Sequence, residues 1–439
     1  MPRISIVGAG LAGSLLAIYL AKRGIEVDVY EARGDMRREG VAGGRSINLA
    51  LSDRGIAALR EVGMDEYLLA EAVPMHGRMI HSPAGETKLL PYSGREGEYI
   101  NSISRGGLNI ALMNEAEKHV GVRIHFHKRC ADFDRDSGAV TFDDGSLVIA
   151  DTVIATDGAG SAVRQAMQRQ LDDFEVSTTF LEHRYKELHI PPADDVGSLL
   201  EKNALHIWPR RQFMMIALPN ADGSFTCTLF LAAETFNDLT GADEVGGFFA
   251  REFPDALPMM PTLAEDFFSN PTGELGTVKC WPWNVDGKVL LLGDAAHAMV
   301  PFYGQGMNCA FEDVRGLSSL IDQHGNDWEE VFDEYGKTRK PNSDAIQEMA
   351  VDNFYEMRDR VADPVFQRKR VLETRLEHEY SDYFSRYSMV TFREDMPYSE
   401  ARRRGNAQDA FLMEFCRNLD DVSAVDLEAV QKQMKEVVK

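Results

Sequence analysis

The residues best suited to chemistry in this 439-residue chain sit in three glycine-punctuated stretches. The most informative is Gly293-Asp294-Ala295-Ala296-His297, which continues through Pro301 to Gly304-Gln305-Gly306-Met307-Asn308. It follows Lys288-Val289-Leu290-Leu291-Leu292, an apolar run that reads as a buried strand. A carboxylate at the end of such a strand can accept hydrogen bonds from a polyol. Free backbone N–H groups at a helix start near Asn308 favour negative charge. Taken alone, this stretch is equally compatible with an ordinary strand-to-helix turn.

The N-terminus gives it meaning. Arg3-Ile4-Ser5-Ile6-Val7 is an apolar, β-branched strand, and Gly8-Ala9-Gly10-Leu11-Ala12-Gly13 leads from it into a helix over Ser14 to Lys22. Gly24 stops that helix, and a second strand, Ile25 to Tyr30, ends at Glu31. The glycines allow a tight turn and let a pyrophosphate approach the backbone, while the acidic residue lies where a ribose hydroxyl pair would be held. Strand, turn, helix, strand and acid together predict dinucleotide binding. The competing reading is a glycine turn that only packs a helix on a sheet.

A third element, Asp151 to Thr156 followed by Asp157-Gly158-Ala159-Gly160-Ser161 and Arg164, reads as a strand running into a helix capped by Ser161. Asp157 and Arg164 suit structural roles as well as cofactor contacts. All three stretches in this order resemble the signature set of FAD-dependent aromatic hydroxylases. A plain NAD dehydrogenase would carry the first alone.

The formal net charge of −23 repels nucleic acid and anionic membrane surfaces, so neither is an expected partner. The five cysteines are scattered and lack metal-ligand spacing, which predicts reduced thiols, no metal site and a cytoplasmic location. No run approaches the roughly 20 apolar residues that a spanning helix requires, and the opening strand is too short for a signal peptide.

The expected architecture is α/β. A doubly wound, Rossmann-like FAD domain is built from 1–70, 105–176 and 286–325. An inserted antiparallel β-sheet substrate domain comes from 71–104 and 177–285, and a helical C-terminal region covers 326–439. Hairpins are expected at Asp144-Gly145 and Asn220-Ala221-Asp222-Gly223, and helix interruptions at Pro341, Pro364 and Pro397.

Several segments resemble the kynurenine 3-monooxygenase family more specifically. They are Gly44-Arg45-Ser46-Ile47-Asn48-Leu49-Ala50-Leu51-Ser52 with Arg54-Gly55, Gly77-Arg78-Met79-Ile80-His81-Ser82 and Ser102-Ile103-Ser104-Arg105. Further on come Lys279-Cys280-Trp281-Pro282-Trp283, Val300 to Asn308, Asn353 to Arg358, and Tyr387 to Phe392. The likeness runs from the first strand to about residue 405, without the hydrophobic tail of animal members, which points to a soluble bacterial-type enzyme.

The resemblance implies FAD as cofactor, NADPH and O2 as co-substrates, and hydroxylation of L-kynurenine to 3-hydroxykynurenine through a flavin C4a-hydroperoxide, with no catalytic side chain required. The pathway implied is tryptophan catabolism or quinolinate and NAD synthesis. The alternative is a related hydroxylase of a salicylate-type aromatic acid. Arg78 would hold the substrate carboxylate, with Tyr92, Asn353 and Tyr387 as further substrate contacts. For FAD, the implied contacts are Gly8, Gly10, Leu11, Gly13, Glu31, Ala50, Arg105, Asp157, Asp294, Gly306, Met307 and Asn308. His297 is expected to be a packed strand-end histidine and not a base. A monomer or homodimer is expected.

Overall fold

A computed structural model describes residues 3–40, 48–194, 197–360 and 363–438. Residues 44–47, which open one of the family-like segments, lie outside the described residues. The chain divides into two compact units. The first comprises Met1–Ala70, Ser104–Phe180 and Gly276–Gln347, and the second Glu71–Ile103, Leu181–Leu275 and Glu348–Lys439.

The first unit is built on a six-stranded sheet. Its order is Asn284–Val285, Val289–Leu291, Thr152–Ala155, Ile4–Val7, Val27–Tyr30 and Val122–His125. All neighbours are parallel except the first pair. A parallel sheet covered on both faces needs apolar residues at successive positions. Accordingly Ile4, Ile6, Val27, Val29, Val153, Ile154 and Leu290 are fully buried.

The helix Leu11–Ala21 shows the same logic. It is apolar all round, and every residue from Gly13 to Leu20 is buried, because it packs against both Arg105–Lys118 and Gly306–His324. The strand order reverses direction between Ile4–Val7 and Thr152–Ala155. In open α/β sheets the crevice beyond the carboxyl ends of such strands receives the ligand. The glycine turn after Val7 and the Asp157 turn both lie there.

In the second unit, the part of Glu175–Ile190 from Leu181 onward, Phe225–Ala232, Met214–Pro219, Ala204–Pro209, Gly77–His81 and Thr87–Pro91 are successive neighbours of one sheet. The expected hairpin at Asn220 to Gly223 forms, with Gly223 at φ +85°. The sheet is not wholly antiparallel, however. Ala204–Pro209 runs parallel to Gly77–His81, register Leu205 to Arg78. These strands lie more than a hundred residues apart, so no tight turn dictates their direction. One face is covered by Ala242–Glu252 and Leu263–Ser269, which enclose Trp208, Phe225, Phe249 and Phe253.

The C-terminal part of this unit is helical, with Leu372, Leu376, Leu412, Cys416, Val430 and Met434 in a core of their own. Pro364 and Pro397 stand at helix starts, where a missing N–H costs nothing. Pro341, expected to break a helix, instead lies inside the 28-residue helix Trp328–Tyr355. The next residue, Asn342, donates from Nδ2 to the Thr338 carbonyl at 2.9 Å. That helix crosses the boundary between the two units, so the stretch expected as one helical region from 326 is shared between them. Among the described residues, no helix is long and apolar enough to cross a membrane.

Candidate functional site

The three glycines of the first turn do different work. Gly8 has φ +105°, and a Cβ there would lie 2.6 Å from the Thr156 carbonyl oxygen. At Gly13 a Cβ would lie 2.0 Å from the Gly8 carbonyl oxygen. Both are demanded by packing. At Gly10 a Cβ would meet no atom within 4 Å. That open space lies at the N-cap of the buried helix beginning at Leu11, whose first N–H groups have no intrahelical acceptors. A pyrophosphate fits there, since the chain leaves room where a side chain would otherwise stand.

Neighbouring elements fix this turn from three sides. Thr156 Oγ1 donates to the Gly8 carbonyl at 2.8 Å. Ser14 Oγ and Asn109 Nδ2 both donate to the Ala9 carbonyl at 3.1 Å. Glu31 Oε2 accepts from Ala9 N at 2.9 Å, while Oε1 accepts from Arg33 N and Nε. Burial opposes the charge on Glu31, but the Arg33 and Ala9 hydrogen bonds hold its carboxyl below the usual range. Three donors on a carboxylate with about four acceptor positions leave one for a ribose hydroxyl.

The two later turns converge on the same strand ends. Gly293, at φ +63°, packs so that its missing Cβ would lie 3.3 Å from Ala310 Cβ and 3.6 Å from Ala12 Cβ. This brings the Asp294 turn against the glycine-turn helix. Asp294 opens a short helix, Asp294–His297, with its own carboxylate exposed. Arg164 ties the Asp157 turn to it, donating from Nη1 to the Ala295 carbonyl at 2.7 Å and from Nη2 to the Ala159 carbonyl. Asp157 Oδ2 accepts from Ala162 N at 2.8 Å, capping the following helix, and Oδ1 is buried with no hydrogen-bond partner. Burial pushes the Asp157 carboxyl up from its ordinary value.

Met307 is buried in the first turn of Gly306–His324, and Arg105 begins Arg105–Lys118 with its side chain exposed. Asn308 is fully buried, and its side chain is spent on the protein. Oδ1 accepts from Ser52 N at 3.0 Å, and Nδ2 donates to the carbonyls of Ala50 at 2.8 Å and Gly304 at 2.9 Å. Asn308 therefore staples the strand Asn48–Leu51 to the Gly304 turn, leaving only its backbone for a ligand. We expect Asn308→Ala to cost about 2–4 kcal/mol, because one buried N–H and two half-buried carbonyls lose their partners. Asn308→Asp should be no rescue, since a second carboxylate oxygen would face the Ala50 and Gly304 carbonyls. Denaturant unfolding of both variants checks this; a fully stable Asp variant would contradict the donor assignment.

His297 is buried, and its Nε2 lies 2.6 Å from Asp313 Oδ2. Ligand atoms of His297, Cys309 and Asp313 lie within 4.8 Å of one another. Arg339 already supplies the cation there: Nε donates to Asp313 at 2.7 Å, and Nη2 is 3.7 Å from Cys309 Sγ. Arg339 also pairs with Glu312, which receives Arg54 Nη1 at 2.7 Å. This is a packed, charge-balanced network and not a general base with an open face.

The second unit holds a different site. Arg78 lies in the strand Gly77–His81, and its guanidinium carbon sits 5.5 Å from the Tyr92 ring centroid and 4.8 Å from that of Tyr387. The two rings are stacked, with centroids 5.2 Å apart at 10°. Arg78 Nε and the Tyr92 hydroxyl are both buried without a hydrogen-bond partner. Among the described residues no carboxylate pairs with Arg78. Burial, reinforced by Tyr387 and opposed by Arg78, pushes the Tyr92 hydroxyl well above its ordinary value, so it stays a neutral donor. A half-buried cation beside a stacked pair of tyrosine rings, with an unused phenol next to it, can take an anion. Asn353 is buried on Trp328–Tyr355, and its Nδ2 lies 3.4 Å from Met357 Sδ.

Of the residues expected from sequence, the nucleotide set gathers in the first unit, and Arg78, Tyr92 and Tyr387 meet in the second. Asn109 went unrecognised: it lies mid-helix, and nothing in its neighbours in sequence signals a bond to a turn a hundred residues earlier.

The profile of the FAD binding domain family matches residues 2–350. A kynurenine 3-monooxygenase from Myxococcus xanthus is 48% identical over 433 residues, covering 97% of this chain and 93% of the relative. The chain belongs to the kynurenine 3-monooxygenase family. A kynurenine 3-monooxygenase from Stenotrophomonas maltophilia is 46% identical over 440 residues, covering 98% of this chain and 96% of that protein. Among solved structures, the tetrameric form of 2-methyl-3-hydroxypyridine-5-carboxylic acid oxygenase aligns with a TM-score of 0.68 at 22% identity. It covers 85% of this chain and 96% of the other. PqsL from P. aeruginosa aligns with a TM-score of 0.67 at 20% identity, covering 82% of this chain and 97% of that one. These neighbours share the α/β fold. As a member of the kynurenine 3-monooxygenase family, the chain uses FAD.

Proposed function

We propose that this protein hydroxylates L-kynurenine to 3-hydroxykynurenine, consuming NADPH and O2 and releasing NADP+ and water. The observation that carries the substrate side of this reading is Arg78, a cation with no carboxylate partner among the described residues, set against the stacked rings of Tyr92 and Tyr387. Bound FAD supplies the redox chemistry, accepting a hydride from NADPH and activating O2 for transfer of one oxygen atom to the ring.

The side chains bind and orient. Arg78 takes the kynurenine carboxylate in a charge-assisted fork, and Tyr92 donates its unused hydroxyl to the same group. The stacked rings of Tyr92 and Tyr387 keep water from the guanidinium, which strengthens the ion pair. Asn353 adds a polar contact to the substrate. The aniline nitrogen of kynurenine makes its own ring electron-rich, so no side chain is assigned as a general base.

For the cofactor, Gly8, Gly10 and Gly13 with Leu11 form the pyrophosphate cradle, and Glu31 accepts from the adenosine ribose. Asp294 accepts from the ribityl hydroxyls, and Arg105 meets the phosphates. The backbone at Ala50, Gly306, Met307 and Asn308 lines the flavin ring, where the N-terminus of Gly306–His324 stabilises negative charge. Asp157 shapes the adjoining turn. The first unit thus serves the flavin and the second the substrate, in a monomer or homodimer.

Purified protein with FAD and NADPH is expected to oxidise NADPH rapidly only when kynurenine is added, forming 3-hydroxykynurenine. Equal stimulation by salicylate, or none by kynurenine, would sink the proposal.

A further inference from the structure

Glu377 lies on the helix Pro364–Glu379 and is 3% exposed. Neither its sequence surroundings nor the chemistry assigned above gives it a role, yet its carboxylate joins the two segments that carry the pocket tyrosines. Oε2 accepts from Gly94 N at 3.0 Å, two residues after Tyr92. Oε1 accepts from Ser385 N at 2.9 Å and from Ser388 Oγ at 2.5 Å, one on each side of Tyr387. Ser385 is also the N-cap of Arg386–Thr391, the helix bearing Tyr387, accepting from Ser388 N at 3.2 Å.

Two independent features show that this junction is built closely. A Cβ at Gly94 would lie 2.3 Å from the Thr374 carbonyl oxygen, so the Tyr92 loop is pressed onto the Glu377 helix at a distance only glycine permits. Arg95, the next residue, donates from Nη2 to the Tyr380 carbonyl at 3.1 Å and to that of Tyr383, and its guanidinium carbon lies 4.0 Å from the Phe384 ring centroid. The loop after Tyr92 is thus fastened to the segment before Tyr387 twice, with Glu377 as the buried acceptor that serves both sides.

We infer that Glu377 is a positioning residue for the carboxylate pocket: it sets the separation of Tyr92 and Tyr387, and through them the pose of Arg78. The inference rests on the assignment of Arg78 to the substrate carboxylate. A carboxylate is required because each of these three hydrogen-bond partners is a donor to it. In Glu377→Gln the amide oxygen can serve either the Ser385 and Ser388 pair or Gly94, and the NH2 opposes the donor left over. One fastening therefore survives. In Glu377→Ala both are lost.

The test compares KM values for kynurenine and for its decarboxylated analogue, kynuramine, in FAD-loaded enzyme. A general loss of structure weakens both alike, whereas a displaced carboxylate pocket weakens only the first. Glu377→Ala should lower the preference for kynurenine by at least about tenfold while kcat changes little, because small misplacements in a positioned site are amplified. Glu377→Gln should fall between Ala and the parent. Should the Ala variant not fold, Ser388→Ala, which removes one donor, should still lower the preference by about threefold.

An unchanged preference in folded Glu377→Ala, or in both Glu377→Gln and Ser388→Ala, overturns the inference. Arg78→Ala run alongside separates the causes. If it abolishes the preference while the Glu377 variants do not, the pocket stands and the positioning role falls. If it too leaves the preference intact, the carboxylate assignment falls and the inference with it.

Discussion

Arg78→Ala is expected to raise the KM for kynurenine roughly 30- to 800-fold, corresponding to about 2–4 kcal/mol for a desolvated, charge-assisted contact. The fold should tolerate the change. Among the described residues Arg78 has no carboxylate partner, so its removal orphans no buried anion there, and the loss is that of its contacts with two rings, about 1 kcal/mol each. Flavin content and melting temperature should therefore stay near those of the parent while substrate affinity collapses. Arg78→Lys should recover part of the loss, since it restores charge without the planar fork that fits a carboxylate and packs against the two rings. Steady-state kinetics with flavin quantification decides the matter. An unaltered KM in Arg78→Ala would remove the main support for the substrate assignment.

The glycine turn yields the second large effect, with a contrast between neighbours. Gly10→Val should give a folded, colourless protein, because the new side chain enters space that is open in the chain itself and needed by the pyrophosphate. Gly13→Ala, though chemically milder, should damage the turn directly. Its methyl group would lie 2.0 Å from a backbone oxygen and 2.5 Å from Thr156 Oγ1, neither of which can retreat without breaking the Gly8 bond. Absorbance in the visible and thermal unfolding separate the two outcomes. Retention of yellow colour by Gly10→Val would place the pyrophosphate elsewhere.

The parts of this protein legible from sequence are those whose geometry is set within a few residues. The turn after Val7, the acid after Tyr30 and the cap at Ser161 each follow from local backbone demands, and the structure places them together. Gly77–His81 was legible as a strand, but its parallel partner Ala204–Pro209 was not, because direction depends on a pairing far along the chain. Pro341 misled because its helix is held by packing, with Phe332, Tyr335, Ile346 and Met349 fully buried, which outweighs the local penalty. Asn308 was recognised as part of a motif, yet its side chain proves to be a brace inside the protein. Glu377 reads in sequence as one more acid on a charged helix. Only its burial, and three donors drawn from two separate segments, reveal it.

Six alternating stretches of chain make up the two units, so the polypeptide passes from one to the other five times. The pocket strand Gly77–His81, already paired with Thr87–Pro91, gains its second neighbour only when residues 204–209 exist, and Tyr387 arrives later still. The nucleotide turn, by contrast, closes among the first 31 residues, apart from its braces from Asn109 and Thr156. On the proposed assignment of Arg78, recognition of the substrate carboxylate is therefore the last property the nascent chain acquires. A nick or early stop ahead of Tyr387 would forfeit it first, and pairwise swaps of whole segments between relatives offer no clean way to alter specificity.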